Sequence, residues 1–254
     1  MYFVQEELSV SPADSQISPL EITTPSMPTS GERAGSAYLF GSVAESMGVE
    51  LAPQERGDWK TLLAAAYAID YIVDDEGKDI DSVVASFLAG GKLEGATNLI
   101  TTNFRRYIET QPEERRALTI QRLGAIGSHV ELCSQAESVT ELITARQDEA
   151  ELYASFFELP LNNTSDKSQR SIFNAWLHVF SRTGYLVDSL LDLKVDYEDG
   201  GTKVEPTVAN RIMLARAAFR ESVVLARQTP SVALVDILKV GYHYLILGVG
   251  PEAQ

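Results

Sequence analysis

The fold is decided by residues 173–199, which read FNAWLHVFSRTGYLVDSLLDLKVDYED. Apolar residues in this stretch recur at helical spacing and point to all sides of the helix axis, which is typical of a helix surrounded by protein. Residues 62–74, LLAAAYAIDYIVD, have the same pattern. Because strand signals are nearly absent from the rest of the chain, the two stretches predict an all-α protein with both helices in its interior.

Each stretch also carries aspartates on a single helix face. At 3.6 residues per turn, positions 188, 192, 196 and 199 fall at about 0°, 40°, 80° and 20° around the axis. The earlier stretch ends with two more aspartates that also share a helix face. The full set is Asp70, Asp74, Asp188, Asp192, Asp196 and Asp199. Like charges at this spacing destabilise a helix, and an unpaired buried carboxylate costs several kcal/mol. We therefore expect a cation between the two groups of aspartates.

The rest of the chain divides into a short arm and a helical region. Residues 9–30 are rich in Ser, Pro and Thr, which predicts a disordered N-terminal arm over residues 1–32. Residues 33–254 are predicted to form one helical domain, since a chain with 44% hydrophobic residues can bury one core at this length. Breaks rich in Gly, Pro and Asn separate the predicted helices, which span 33–48, 54–75, 79–89, 93–109, 113–133, 137–158, 167–198, 206–228 and 231–247.

Composition and charge exclude several kinds of partner. The net charge of −15 and a pI near 4.6 argue against nucleic acid, because phosphate binding needs clustered Lys and Arg. The first residues lack the basic and apolar regions of a signal peptide, and no segment is apolar enough for a transmembrane helix. We therefore expect a cytoplasmic protein. Cys133 is the single cysteine, which excludes an internal disulfide.

The aspartates favour Mg²⁺ over other occupants. Mg²⁺ is a hard cation that takes carboxylate oxygens while it keeps waters and binds substrate phosphates. Calcium is disfavoured because residues 74–85 and 192–203 lack the central glycine and terminal glutamate of a calcium loop. A di-iron centre would need Glu-x-x-His pairs, which the chain does not contain. The alternative of a solvated acidic face is disfavoured because the aspartates interrupt apolar helices in two places.

These motifs resemble those of the squalene/phytoene synthase family of class I isoprenoid synthases. Residues 66–74, AYAIDYIVD, resemble the first D-x-x-x-D helix of that family. Residues 192–196, DLKVD, resemble the second motif. Gly200 follows the last aspartate by four residues, as a glycine does in the family. Residues 36–40, SAYLF, are similar to an early helix that lines the family's cavity. The motifs occur in the family's order, and the resemblance covers about residues 35–201.

The resemblance implies an all-α, single-domain helical bundle of the class I isoprenoid synthase type around a deep apolar pocket. The implied activity is Mg²⁺-dependent ionisation of a prenyl diphosphate with loss of pyrophosphate, followed by cyclisation or prenyl transfer. The implied catalytic residues are Asp70, Asp74, Asp192 and Asp196, and Asp188 is added to them as a metal ligand. The substrate would be contacted by Tyr38, Tyr67, Phe180, Tyr185 and Lys194. For each aromatic residue, ordinary core packing is the alternative.

The chain departs from the family in its basic residues, and it ends about fifty residues after the second motif, which is shorter than expected for a head-to-head synthase. Arginines that commonly flank both motifs are absent from positions 68–69, 191 and 197–200. The remaining cations that could meet a diphosphate are Lys60, Arg146, Arg182, Lys194 and Lys203, and we favour Lys194 because it lies within the second motif. These departures favour one prenyl diphosphate as substrate over head-to-head condensation of two. A catalytically silent lipid-binding or interaction scaffold is a further alternative, and a homodimer is left open.

Overall fold

The computed structural model describes residues 39–74, 82, 85, 97–163, 166–231 and 233–235, without the side chains of 67–74, 97–101, 127–128, 130–131 and 162–163. All regular secondary structure in these ranges is helical, so the prediction of an all-α bundle is confirmed. A 3₁₀ turn at Leu159–Asn163 follows the fifth α-helix. The α-helices are α1 (39–46), α2 (Pro53–Asp74), α3 (Thr97–Thr110), α4 (Glu113–Gln135), α5 (Val139–Phe157), α6 (Lys167–Glu198) and α7 (Val208–Gln228).

The predicted helices agree with these bounds. α6 begins and ends at the residues predicted for it, and α2 is displaced by one residue at each end. Residues 82 and 85 are helical, as predicted for 79–89. Several predicted features lie outside the described residues: the rest of that segment, the N-terminal arm, the domain boundary at residue 33 and residues 236–247. In the part of the chain that is described, no helix is long and apolar enough to cross a membrane.

Side-chain caps explain where the C-terminal helices begin. At the start of α5, the Ser138 hydroxyl accepts from the Glu141 N–H at 3.2 Å, and the Glu141 carboxylate accepts from the Ser138 N–H at 3.1 Å. Asp166 caps α6 by accepting two backbone N–H groups at 2.8 and 3.2 Å. Thr207 caps α7 with its hydroxyl. Each cap satisfies N–H groups that the first turn leaves unbonded, and so fixes the helix start.

The C-terminal half of the fold is built on α6, which packs against α5 on one side and α7 on another. Near the start of α6, the Trp176 indole donates to the Thr229 hydroxyl, just beyond the end of α7, at 2.9 Å. Further along α6, Arg182 Nε lies 3.2 Å from Glu221 Oε2. Contacts therefore move toward the start of α7 as they move toward the end of α6, so the two helices are antiparallel.

Two apolar clusters hold the helices together. The main cluster joins both halves of the chain, and its largest fully buried side chains are Trp59, Phe104, Phe156, Phe173 and Trp176. The Trp59 indole donates to the Phe157 carbonyl at 2.7 Å, so its polar atom is satisfied inside the core. A smaller cluster beneath the C-terminal half of α6 consists of Ala136, Val139, Leu142, Leu186, Leu193, Val204, Leu214 and Ala218. The end of α6 that carries the aspartates therefore has apolar support of its own.

Candidate functional site

The aspartates of the second motif lie along one side of α6. Asp188 and Asp192 are exposed, and Asp196 is half-buried. On the opposite side of the same turns, Leu186 and Leu193 are fully buried in the smaller apolar cluster. The three carboxylates, which we call the acidic stripe, therefore occupy the accessible side of a helix whose other side is anchored.

The glycines that follow the motif have a structural role. Gly200 adopts a φ of +80°, the left-handed conformation that commonly ends a helix. The chain then turns back, and the Thr202 N–H donates to the Asp196 carbonyl at 3.1 Å. A Cβ at Gly201 would lie 3.4 Å from that carbonyl oxygen. Gly200 and Gly201 thus shape the turn that ends α6 beside Asp196.

Arg146 of α5 lies beside the acidic stripe. Its Nη1 is 2.9 Å from Glu149 Oε2, and its Nη2 is 3.6 Å from Asp196 Oδ2. Glu149 is buried and also accepts from the Cys133 thiol at 3.3 Å, so α4, α5 and α6 meet at this group. The Arg146 side chain is only 17% exposed. Burial lowers the pKa of Arg146, but the charges of Glu149 and Asp196 outweigh that effect, so the pKa is raised and the guanidinium stays charged.

Asp188 has a pKa raised to about 6. Burial is the largest cause, followed by repulsion from the Asp192 charge, whereas the Arg146 charge lowers the pKa. Asp188 is nevertheless exposed to water. The Arg146 charge does not offset the effects that raise the pKa of Asp188. The negative charge of the acidic stripe is thus only partly neutralised by Arg146, and a further cation would be stabilised there.

The first motif is placed only in part. α2 continues to Asp74, so Tyr67, Asp70 and Asp74 belong to a helix, as predicted. Their side chains lie outside the described residues, and so does the whole of Tyr38. That the two groups of aspartates face each other across one pocket mouth therefore stays a prediction.

Phe180 and Tyr185, two of the predicted lining residues, precede the acidic stripe on α6. The Phe180 ring stacks on Trp176 with a centroid separation of 5.0 Å. The Tyr185 ring lies 5.2 Å from that of Tyr153. Both are half-buried and pack against the main apolar cluster. Tyr185 is three residues before Asp188 and lies on the same helix face, and its role in lining a pocket stays a prediction.

The contacts of the basic residues change the order of the candidate cations. Lys194, which the sequence favoured, has a 64% exposed side chain whose Nζ lies 3.6 Å from Glu198 Oε1. Arg182 is paired with Glu221 in the interface with α7. Neither contact reaches the acidic stripe, whereas Arg146 contacts Asp196. Substrate binding by Lys194 stays a prediction, and Arg146 becomes the leading cation.

The position of Arg146 within its helix is itself a signal in the sequence. Leu142 and Ala150 lie four residues before and four residues after Arg146, on the same helix face, and both are buried. A charged residue within the apolar face of a helix must find a partner inside the fold. That spacing marks Arg146 as a structural or functional cation, although it does not identify Asp196 as the partner.

The donor chemistry of the acidic stripe fits Mg²⁺, but the stripe needs additional ligands. Carboxylate oxygens are the protein ligands that Mg²⁺ prefers. Successive aspartates are about 6 Å apart along the axis, so one helix does not bring three of them to one ion. Consistent with this, the described ranges contain no group of three His, Cys, Asp or Glu side chains that could hold a metal ion by themselves. Ligands from another element are required, which is the role predicted for Asp70 and Asp74.

A second polar cluster, which the sequence analysis did not anticipate, connects α5, α6 and α7. His178 Nε2 is 2.9 Å from Glu158 Oε1, and its Nδ1 contacts Glu151. Arg182 contacts Glu151 as well, and its Nε is 3.2 Å from Glu221 Oε2. The hydrogen bond to Glu158 is the largest cause of a raised pKa for His178, and burial opposes it. We call these five residues the His178 network. Its charges lie on three helices, so no local spacing reveals it.

A shallow groove of about 390 Å³ lies between α4 and α5. His129 and Leu132 line it from α4, and Thr140, Thr144 and Asp148 line it from α5. None of the predicted site residues lines this groove. The deep apolar pocket implied by the family resemblance therefore stays a prediction.

No family model, no curated protein and no solved structure matches this chain. Its function is therefore inferred from its residues and their geometry.

Proposed function

We propose that this chain binds a prenyl diphosphate together with Mg²⁺ and ionises it with loss of pyrophosphate, followed by cyclisation or prenyl transfer. The observation that supports this most directly is the acidic stripe on the accessible side of α6. Burial and, after it, the charge of Asp192 raise the pKa of Asp188, and Arg146 places a guanidinium 3.6 Å from Asp196. An acidic surface with a charged guanidinium beside it suits a ligand that combines divalent cations with a polyanion.

In this proposal Asp70, Asp74, Asp188, Asp192 and Asp196 hold Mg²⁺. The bound metal would neutralise charge on the leaving pyrophosphate, which is electrostatic stabilisation rather than proton transfer. The chain itself supplies the positions of the ligands. Buried leucines on the far side of α6 hold the acidic stripe in place, and the glycine turn fixes the end of the helix beside Asp196.

Arg146 has two roles in the proposed reaction. It positions the Asp196 carboxylate through the 3.6 Å contact, and it provides a donor for an anion bound at the stripe. Its Nε is buried and has no hydrogen-bond partner in the described part of the chain, so the donor proposed for an anion is Nη2, which lies 3.6 Å from Asp196. A buried guanidinium held by Glu149 is preorganised, because it loses little freedom when an anion arrives.

The remaining substrate contacts are apolar. Tyr185 and Phe180 precede the acidic stripe on α6, and Tyr38 and Tyr67 are proposed to complete the lining. Aromatic rings exclude water from an allylic cation and stabilise it through their faces. Without such a lining, water would capture the cation as an alcohol.

The test is turnover by the purified chain. The protein is incubated with Mg²⁺ and prenyl diphosphates of increasing length, and pyrophosphate release is measured together with mass spectrometry of extracted products. We expect Mg²⁺-dependent release, and a loss of roughly 100-fold or more in Asp192→Asn. Glu198→Gln is the matched control, because Glu198 lies on the same helix end and pairs with Lys194 instead of joining the acidic stripe.

The products decide between the alternatives. One cyclic or transferred prenyl skeleton supports the proposal, and a product with two joined prenyl chains identifies head-to-head condensation. Absence of pyrophosphate release with every substrate, from a folded protein, contradicts the proposal and favours the silent scaffold. Equal activity in Asp192→Asn and the parent would show that the acidic stripe is not the site.

A further inference from the structure

We propose that the outer face of α7 binds an anionic lipid surface. An apolar row on this helix consists of Val208, Ile212 and Phe219, whose exposed fractions are 75%, 46% and 69%. The three residues lie within about 40° of one another around the axis. Exposure of a side chain as large and apolar as Phe219 to water is unfavourable, and an exposed apolar row marks an interaction surface.

A basic row runs beside the apolar one. Arg216, Arg220 and Arg227 are exposed and lie about 80° from Val208, Ile212 and Phe219 around the helix. Within the described residues, none of the three arginines forms an ion pair. The two rows together make up what we call the α7 face.

The charge of α7 is opposite to that of the rest of the chain. The helix contains four arginines and one acidic residue, so its net charge is +3 in a chain of net −15. The acidic residue, Glu221, is turned inward, where it contacts Arg182 at 3.2 Å and Gln147 at 3.3 Å. The α7 face is therefore positive without local compensation. At physiological salt the Debye length is about 8 Å, so charges on distant parts of the protein barely oppose an anion bound there.

The shape and charge of the α7 face favour a lipid surface over a protein. The two rows run about 29 Å along a convex helix surface, and a protein partner would need a matching concave face. A fluid bilayer adapts to a convex ridge: apolar side chains enter the headgroup region while arginines reach the phosphates. A contact between two copies of α7 would bring together two helices that each carry a net charge of +3, and these charges repel. The proposal does not depend on the enzymatic activity of the chain.

The test is vesicle flotation of the full chain. Vesicles of phosphatidylcholine are compared with vesicles that also contain phosphatidylserine. We expect binding to the anionic vesicles that falls at high salt, and little binding to the neutral ones. Arg216→Ala combined with Arg220→Ala should weaken binding roughly 30-fold, and Phe219→Ser should weaken it by about tenfold or more.

Matched controls come from other helices. Ile172→Ser removes an apolar side chain of α6 that is 58% exposed, and Arg116→Ala removes an exposed arginine of α4. Both controls should bind like the parent, and melting curves should show that all variants are folded. No binding to anionic vesicles, or equal losses in the α7 and control variants, overturns the proposal. Self-association that the α7 variants abolish, without vesicle binding, would also overturn it and assign the face to a second copy.

Discussion

At the residue scale, the decisive pair is Asp188 and Arg146. Burial is the largest cause of the raised pKa of Asp188, which is about 6 in the fold; repulsion from Asp192 adds to it, and the Arg146 charge offsets only part of the rise. A carboxyl with a raised pKa destabilises the folded state once it is ionised. Ionised Asp188 therefore lowers the stability of the fold, a pattern that is common at functional sites.

The first prediction follows from this pair. The ordinary pKa of an aspartate is 3.8, so ionised Asp188 opposes folding above that pH, fully so above the folded pKa of about 6. Asp188→Asn should therefore raise the melting temperature at neutral pH, and the gain should vanish as the pH falls below 3.8. Melting curves across this pH range, with Glu198→Gln as the control, measure the effect. A lower melting temperature of Asp188→Asn at neutral pH would mean that the carboxylate is net stabilising.

His178 gives a pH dependence of opposite sign. Its pKa is raised above 6.5, chiefly by the hydrogen bond to Glu158, so the protonated ring stabilises the fold. That contribution is present below pH 6.5 and is lost as the pH rises through the raised pKa. His178→Gln should lower the free energy of unfolding by on the order of 1 kcal/mol on the acidic side, and by less on the alkaline side.

Urea unfolding at several pH values measures this difference. Glu158→Gln should weaken the pH dependence of the parent, because it removes the partner that raises the pKa of His178 most. A stability difference between parent and His178→Gln that is the same at every pH would show that the His178 network acts through packing alone.

At the element scale, α6 carries both the acidic stripe and the devices that fix its length. Asp166 caps its start, and Gly200 ends it in the left-handed region. Both signals are local, which explains why the bounds of α6 could be predicted from the sequence. The contact of Arg146 with Asp196 and the contacts of the His178 network could not be predicted, because they join residues of different helices. Which side of α5 meets α6 is decided by packing of the whole bundle rather than by spacing within one segment.

Two glycines, one within α6 and one just after its end, provide a prediction with an internal control. Gly200→Ala should lower the free energy of unfolding by roughly 1 kcal/mol, since alanine is strained at a φ of +80°. Gly184→Ala should raise it by roughly 0.5 kcal/mol, because Gly184 lies within α6 and a Cβ there meets open space. Urea unfolding of both variants tests the pair. Equal changes in the same direction would contradict the assigned end of α6.

At the scale of the whole molecule, the sequence predicted the helices and the face that the aspartates share, since both follow from periodicity within one segment. It did not predict that the packing of α5 on α6 places Arg146 beside the acidic stripe. It favoured Lys194 instead, which lies on the outer surface. The relation between the two groups of aspartates is a property of the whole bundle. It is tested by whether they bind one ligand together.

The last prediction therefore concerns ligand-dependent stability. Mg²⁺ with pyrophosphate should raise the free energy of unfolding by roughly 2.7 kcal/mol at a hundredfold excess over the dissociation constant. Mg²⁺ alone should act weakly, because it keeps its waters and binds jointly with phosphates. Pyrophosphate alone should act weakly because the carboxylates repel it and Arg146 is already held by Glu149.

Thermal shift measures all three conditions. The combined shift should disappear in Asp70→Asn and in Asp192→Asn and remain in Glu198→Gln, since a ligand shared by both motifs needs carboxylates from each. A shift that survives Asp70→Asn but not Asp192→Asn would place the ligand on α6 alone and separate the two motifs, whereas a large shift from pyrophosphate without metal would reveal a basic clamp in place of the acidic stripe.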